Sequence, residues 1–169
     1  MITKIVVQIS FLSLFNRFFL HWFPYQYAHC LVYTRLPHKL FKIVVQIMCL
    51  HLFLHCNTSR ELWSKVWNWL GIFMVTPDHL RHHFIKVSTL AGLPRSSHLF
   101  LRTIWFAIIW VIWKERNYCI FRNAASSSGA LIEKIKLNSF LWLKSKQASF
   151  CYSYTDWWKH PLLCMGFQV

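Results

Sequence analysis

The chain has 169 residues, of which 56% are hydrophobic, 18% aromatic and only 14% charged. This length suits one domain with an apolar core and excludes a large multidomain enzyme, and the composition excludes a chain kept disordered by its charge. Nineteen Lys and Arg face five Asp and Glu, so the net charge is +14 with His neutral. A catalytic site needing several carboxylates would have to combine residues that are far apart in the sequence: Glu61, Asp78, Glu115, Glu133 and Asp156.

The positive charge has two interpretations. Clustered Lys and Arg displace counterions from phosphates, so this balance usually indicates a nucleic acid or an anionic membrane as partner. The excess also reflects missing acids, because no Asp or Glu precedes Glu61 whereas six Lys and Arg do. An incidental bias in composition would have the same effect, and the charge alone leaves both interpretations open.

The cysteines and the apolar stretches bear on the compartment. Six cysteines form no Cys-x2-Cys pair, which favours a reducing, intracellular compartment over a disulfide framework. Residues 5–15 have the length of a signal-peptide core, but Arg17 and bulky aromatics follow where a cleavage site belongs. Residues 104–113 are apolar but shorter than the about 20 residues that span a bilayer, so we expect a buried core helix. A membrane anchor at residues 5–23 or 99–113 is the alternative.

The N-terminal third contains an internal repeat. Lys-Ile-Val-Val-Gln-Ile occurs at residues 4–9 and again at 42–47, and nine of twelve positions agree when the two copies are extended. Two copies are too few for a solenoid. The β-branched hexamer predicts a short strand, although a helix remains open for this poorly defined segment. We interpret residues 1–50 as an acid-free, partly duplicated segment read through from outside the original domain.

From residue 57 onward the sequence predicts a mostly α fold, a small bundle of about four helices. A capping box from Thr58 to Glu61 precedes the first helix, and Gly71 is placed to end it in a left-handed conformation. Pro77 suits the first turn of the second helix, and Ser96 or Ser97 can cap the third. The third helix is apolar all round in its middle, which predicts burial on most sides. The four helices are expected at residues 58–70, 77–91, 97–121 and 130–146, and the tail after Ser149 is expected to be irregular.

The sharpest chemical hypothesis is a zinc site. Cys49, His51, His55 and Cys56 lie within eight residues, and zinc favours thiolate and imidazole ligands. The spacing from His51 to Cys56 suits one half of a four-ligand site, but no Cys-x2-Cys pair lies upstream. The alternative is a set of buried cysteines and partly exposed histidines along a short apolar element.

Other sites have weaker support. The spacing of His79, His82 and His83 could hold a metal on one helix face, but a solvated polar face is the better prediction. The sequence contains no glycine-rich phosphate loop and no local Cys-His signature of nucleophilic catalysis. Aromatic and basic residues interleave in one stretch and could stack on bases, although their helical spacing favours core packing: Trp105, Trp110, Trp113, Lys114 and Arg116.

Several stretches together resemble the C-terminal part of reverse transcriptases from plant non-LTR (LINE-type) retrotransposons, in and after the zinc-binding domain. The resemblance covers about residues 51–166. Its most specific parts are the order of His-Leu-Phe-Leu-His-Cys at residues 51–56 and Trp-x2-Trp-Lys-Glu-Arg-Asn at residues 110–117. Weaker matches are Leu62-Trp63, Trp67-x-Trp69-Leu-Gly71, Ile104-Trp105, Phe121, Lys134-x-Lys136, Trp142-Leu-Lys144, Trp157-Trp158, Pro161-Leu162 and Cys164.

The chain also departs from this family. The family's Cys-x2-Cys pair would fall among residues 40–44, where the repeated hexamer stands instead, so the resemblance carries over only His51 and Cys56 as half of a zinc site. The adjacent aspartates that hold catalytic magnesium in such a polymerase have no counterpart, because Asp78 and Asp156 are far apart. The resemblance therefore implies a non-catalytic retrotransposon-derived fragment without a resident cofactor. Its accessory role would be nucleic-acid binding, with Lys114 and Arg116 as candidate contacts.

Overall fold

The computed structural model describes residues 47–75, 79–90 and 95–166. The chain divides into two compact units, residues 1–48 and 49–169, and the fold below is that of the second. The first copy of the repeat and residues 42–46 of the second copy lie outside the described residues, as does the N-terminal segment proposed as an anchor. The strands predicted there are not tested.

The second unit is helical. It begins with helical residues 49–50, which continue as a π-helical turn at His51–His55. A 3-10 turn at Arg95–Ser97 leads into the longest helix. The helices are α1 (Asn57–Leu70), α2 (Leu80–Ser88), α3 (His98–Arg122), α4 (Ser128–Lys146), α5 (Tyr154–Lys159) and α6 (Pro161–Cys164). The predicted mostly α fold is confirmed, and α1 to α4 correspond to the four expected helices. The predicted irregular tail is wrong, because α5 and α6 occupy it.

The helix ends depart from the prediction at two caps. The N-cap of α1 is Cys56 rather than Thr58, so the predicted capping box is wrong. Ser97 occupies the N-cap of α3, but its hydroxyl donates a hydrogen bond to the carbonyl of Met165 at 2.9 Å and caps nothing. Gly71 ends α1 with φ 63°, as expected, a conformation that glycine adopts without steric cost.

The core is built around the middle of α3. From Phe100 to Ile112 most side chains are buried on every side of this helix, because α2 and α4 pack against it and the π-helical turn and α1 also contact it. Ala107 and Ile108 are completely buried. Most of the stretch proposed as a membrane anchor, residues 99–113, is therefore buried within this unit. Among the helices of the described ranges, none combines the length and apolar character that crossing a bilayer requires.

The C-terminal helices are held to the bundle by tryptophans. Ser153 and Asp156 form a capping box at the start of α5, in which the Ser153 hydroxyl accepts from the Asp156 N–H and the carboxylate accepts from the Ser153 N–H. This cap orients Trp157, whose ring is completely buried and whose Nε1–H donates to Ser139 Oγ on α4 at 3.1 Å. Trp69 of α1 donates to the carbonyl of Trp158 at 2.9 Å. The tail is thus part of the core rather than an appendage.

We expect the substitution Ser139→Ala to lower the free energy of unfolding by about 1–3 kcal/mol, because it leaves the Trp157 Nε1–H buried without an acceptor. Ser145→Ala is the matched control on the same helix, since the Ser145 hydroxyl bonds only its own helix at Trp142 and is exposed. The control should change the stability by less than about 0.5 kcal/mol. Urea unfolding followed by tryptophan fluorescence measures both, and equal losses in the two variants would contradict the role of Ser139.

Candidate nucleic-acid interface

The C-terminal half of α3 emerges from the core. After Ile112 the helix continues for ten residues to Arg122, and it ends at Asn123, whose left-handed φ of 48° is tolerated by asparagine. Exposed apolar side chains appear here, with Tyr118 at 47%, Ile120 at 56% and Phe121 at 71% exposure. The last turns of α3 are therefore covered on one side only, and their other side faces solvent.

One face of this exposed part combines aromatic rings and positive charges, and we call it the α3 stripe. An α-helix turns about 100° per residue, so residues 110, 114, 118, 121 and 122 fall within about 120° of arc. The Lys114 ammonium lies 5.6 Å from the centre of the Trp110 ring. The α3 stripe consists of Trp110, Lys114, Tyr118, Phe121 and Arg122.

The structure separates the two bases that the sequence pointed to. Lys114 is exposed on the α3 stripe. Arg116 lies about 160° away around the helix and is half-buried, on the side that faces the rest of the bundle. Arg122 is also exposed, about 80° from Lys114 around the helix. Helical periodicity could have found Arg122, but the direction of the core was needed to decide between the faces.

Glu115, the carboxylate next to Lys114, is held in the interior. Its side chain is 8% exposed and accepts a hydrogen bond from the Ser126 hydroxyl at 2.8 Å and another from the Ser126 N–H. Lys134 of α4 lies 4.0 Å from the same carboxylate. Glu115 thus joins the end of α3 to the start of α4. Since it points inward, it does not neutralise the cations of the α3 stripe.

The other carboxylates of the described residues are also engaged within the fold. Glu61 accepts from the Ser128 hydroxyl at 2.6 Å and pairs with Lys65 on its own helix. Partial burial opposes the ionisation of Glu133, but hydrogen bonds from Lys136 and Trp158 outweigh it and lower the pKa of its carboxyl. A hydrogen bond from the Ser153 hydroxyl lowers the pKa of Asp156.

These bonds affect the charge of the surface. Ion pairs to carboxylates in the described residues involve Lys65, Lys134 and Lys136. Within that part of the chain, neither Lys114 nor Arg122 has a carboxylate partner. The α3 stripe therefore presents its positive charge to solvent.

Of the two residues of the expected zinc half-site, Cys56 caps a helix and His51 lies at the surface. His51 is exposed on the π-helical turn. Cys56 caps α1, with its Sγ accepting from the Ser59 N–H at 3.4 Å and lying 3.4 Å from the Leu52 carbonyl, to which the thiol donates. Burial raises the pKa of the neighbouring Cys49 thiol to about 11.

No group of three or more metal-ligating side chains that could hold an ion occurs within residues 47–75, 79–90 and 95–166.

The three histidines of α2 and its N-cap do not form one polar face, so that prediction is wrong for His83. The rings of His79 and His82 are exposed and meet edge to face. His83 is completely buried, and its Nδ1 accepts a hydrogen bond from the Trp105 Nε1–H at 3.0 Å. The edge of the imidazole packs on Trp63, with ring centroids 4.3 Å apart. Burial, aided by the charge of Lys86, lowers the pKa of His83 to about 4.

Comparison with protein-family models, curated proteins and solved structures finds no match for this chain.

The pKa of His83 predicts an acid-sensitive fold. In the unfolded chain His83 binds a proton with a pKa of about 6.5, whereas in the folded chain its pKa is about 4. The contribution of neutral His83 to the free energy of unfolding is therefore fully present above pH 6.5 and is lost as the pH drops towards 4. We expect this residue to account for a loss of up to about 3 kcal/mol at pH 4. Urea unfolding at pH 7.5 and pH 4.5 should show a smaller pH-dependent loss in His83→Gln. The exposed His82→Gln is the control and should behave as the wild type; if His83→Gln does so too, the assignment to His83 fails.

Because Cys56 caps α1, substitutions at this position should lower the free energy of unfolding by different amounts. Cys56→Ala removes the acceptor at the start of α1 and should cost about 1 kcal/mol, whereas Cys56→Ser keeps an acceptor and should cost less. The exposed Cys151→Ala is the control. If Cys56 instead held a structural zinc ion, Ser and Ala would be equally damaging and a chelator would lower the stability of the wild type. Thermal unfolding with and without chelator distinguishes the two.

Proposed function

We propose that this chain is a non-catalytic, retrotransposon-derived fragment whose accessory role is to bind nucleic acid through the α3 stripe. The proposal assigns no catalytic step and no resident cofactor to the chain. It combines the resemblance of residues 51–166 to the region around and after the zinc-binding domain of LINE-type reverse transcriptases with the charge of the folded surface. The observation that carries it is that Lys114 and Arg122 are exposed and have no carboxylate partner in the described part of the chain, while Glu115 is bonded to Ser126 and Lys134.

Carboxylates of the protein and phosphates of a nucleic acid compete for the same Lys and Arg side chains. A Lys or Arg beside a surface carboxylate is already neutralised, so exchanging that carboxylate for a phosphate contributes little free energy of binding. Each cation that lacks such a partner can instead displace counterions from a nucleic acid, which favours binding at low salt. The chain has few acids and uses those of its described part in caps and interhelical bonds, so its net charge of +14 is carried by bases with little competition.

A polyanion held by the α3 stripe should show a linear decrease of the logarithm of affinity with the logarithm of salt concentration. Neutralising both cations, in Lys114→Gln with Arg122→Gln, should reduce this slope by about 1.4 for a single strand. The pair suggested by the sequence, Lys114→Gln with Arg116→Gln, should reduce it by about half as much, because Arg116 lies on the other side of α3. Fluorescence anisotropy of a labelled oligonucleotide measures the slopes.

The matched control removes the same charge elsewhere. Arg81 and Lys86 are exposed on α2, which packs against Trp105 about 14 Å before Lys114 along α3. Arg81→Gln with Lys86→Gln should therefore leave the affinity closer to that of the wild type. Binding that is independent of salt, or equal slopes in the control and the Lys114 and Arg122 variant, would contradict the proposal.

A further inference from the structure

The α3 stripe exposes more aromatic surface than phosphate binding requires. Phe121 is 71% exposed and Tyr118 is 47% exposed. Neither ring carries charge, so the binding of phosphates does not depend on them. Neither ring packs against another aromatic ring in the described part of the chain. Two neighbouring rings on a basic face point to a ligand that combines phosphates with flat apolar groups.

Along the axis of α3 the two rings lie between the two charges. On the helical projection Tyr118 and Phe121 are about 60° apart, with Lys114 between them in angle and Arg122 next to Tyr118. From Trp110 to Arg122 the α3 stripe extends for about 18 Å along the helix. The Lys114 ammonium lies over the Trp110 ring at one end of the α3 stripe, and Arg122 supplies a second charge at the other end, beyond Phe121. A ligand lying along the helix would meet charge and aromatic surface alternately.

Single-stranded and duplex nucleic acids offer different groups to such a surface. Both carry phosphates that Lys and Arg neutralise. In a duplex the faces of the bases are stacked on each other, whereas the bases of a single strand can turn out and stack on aromatic side chains. Aromatic rings therefore contribute to the binding of a single strand and contribute little to the binding of a duplex.

We infer that the α3 stripe selects single-stranded over double-stranded nucleic acid, with Tyr118 and Phe121 stacking on bases while Lys114 and Arg122 contact the flanking phosphates. This inference rests on the proposed function and adds the form of nucleic acid that the site takes. Stacking on a ring is sequence-tolerant, because every base has a π-face. The site therefore distinguishes strandedness rather than base sequence.

The test compares the affinities of the full chain for a 20-nucleotide DNA strand, the RNA strand of the same sequence, and the corresponding DNA duplex at one salt concentration. Either single strand should bind at least about fivefold more tightly than the duplex for each ring that stacks. Tyr118→Ser with Phe121→Ser should remove this preference and leave the salt slope unchanged, since both cations remain.

The control substitutes two other exposed apolar side chains on a helix, Leu137→Ser with Leu141→Ser on α4, which are 44% and 50% exposed. It should retain the preference for single strands, and circular dichroism should show equal helical content in all variants. A duplex bound as tightly as a single strand, with a steep salt slope, would overturn this inference and leave the proposed function standing. Binding to neither nucleic acid, or binding to phosphatidylserine vesicles in preference to both, would overturn the two together.

Discussion

The structure depends on burying the middle of α3, which is apolar around its whole circumference. A helix with one apolar stripe needs a partner on one side, whereas this one must be covered on all sides to remove its apolar surface from water. α2 and α4 provide most of this cover, and the π-helical turn and α1 complete it. The positions of the other helices follow from that requirement. Beyond Ile112 the cover is confined to one side, where Glu115 bonds Ser126 and Lys134, and the other side of α3 forms the exposed stripe.

Buried polar groups connect the layers of this core. The Trp105 indole donates to His83 inside the contact of α2 with α3, and the Trp157 indole donates to Ser139 inside the contact of α4 with α5. Each bond satisfies an N–H that would otherwise be buried without an acceptor. Tryptophan therefore does more here than fill volume, because its ring supplies apolar area and its N–H specifies the register of neighbouring helices.

The scarcity of acids links stability to surface charge. Glu115 and Asp156 hold helix ends in place, and Glu61 and Glu133 connect helices or pair along one of them. A carboxylate used in this way neutralises local charges and leaves the more distant bases unopposed. The positive surface of this chain is thus partly a consequence of how its few acids are used in folding. Under the proposed function, that surface is what a nucleic acid would meet.

Local signals in the sequence predicted part of this architecture and missed another part. The four long helices were predictable because apolar residues recur with the period of a helix and because Gly71 ends α1 in the expected way. The helix α5 was missed, although Ser153 and Asp156 match a capping box, because six residues are too few to show an apolar period. Cys56 was considered as a metal ligand, and its role as a cap depends on the π-helical turn that brings the Leu52 carbonyl to its thiol. This turn has no clear signal in the sequence.

The sequence by itself determined the helical class, the bounds of the long helices to within a few residues, the burial of α3 and the excess of positive charge. These properties depend on residue type and on spacing along one element. Only the tertiary structure decided that His83 is interior while His82 is exposed, and that Lys114 faces solvent while Arg116 turns towards the bundle. Periodicity says which residues share a face, but the face that becomes buried depends on which other helices pack against it.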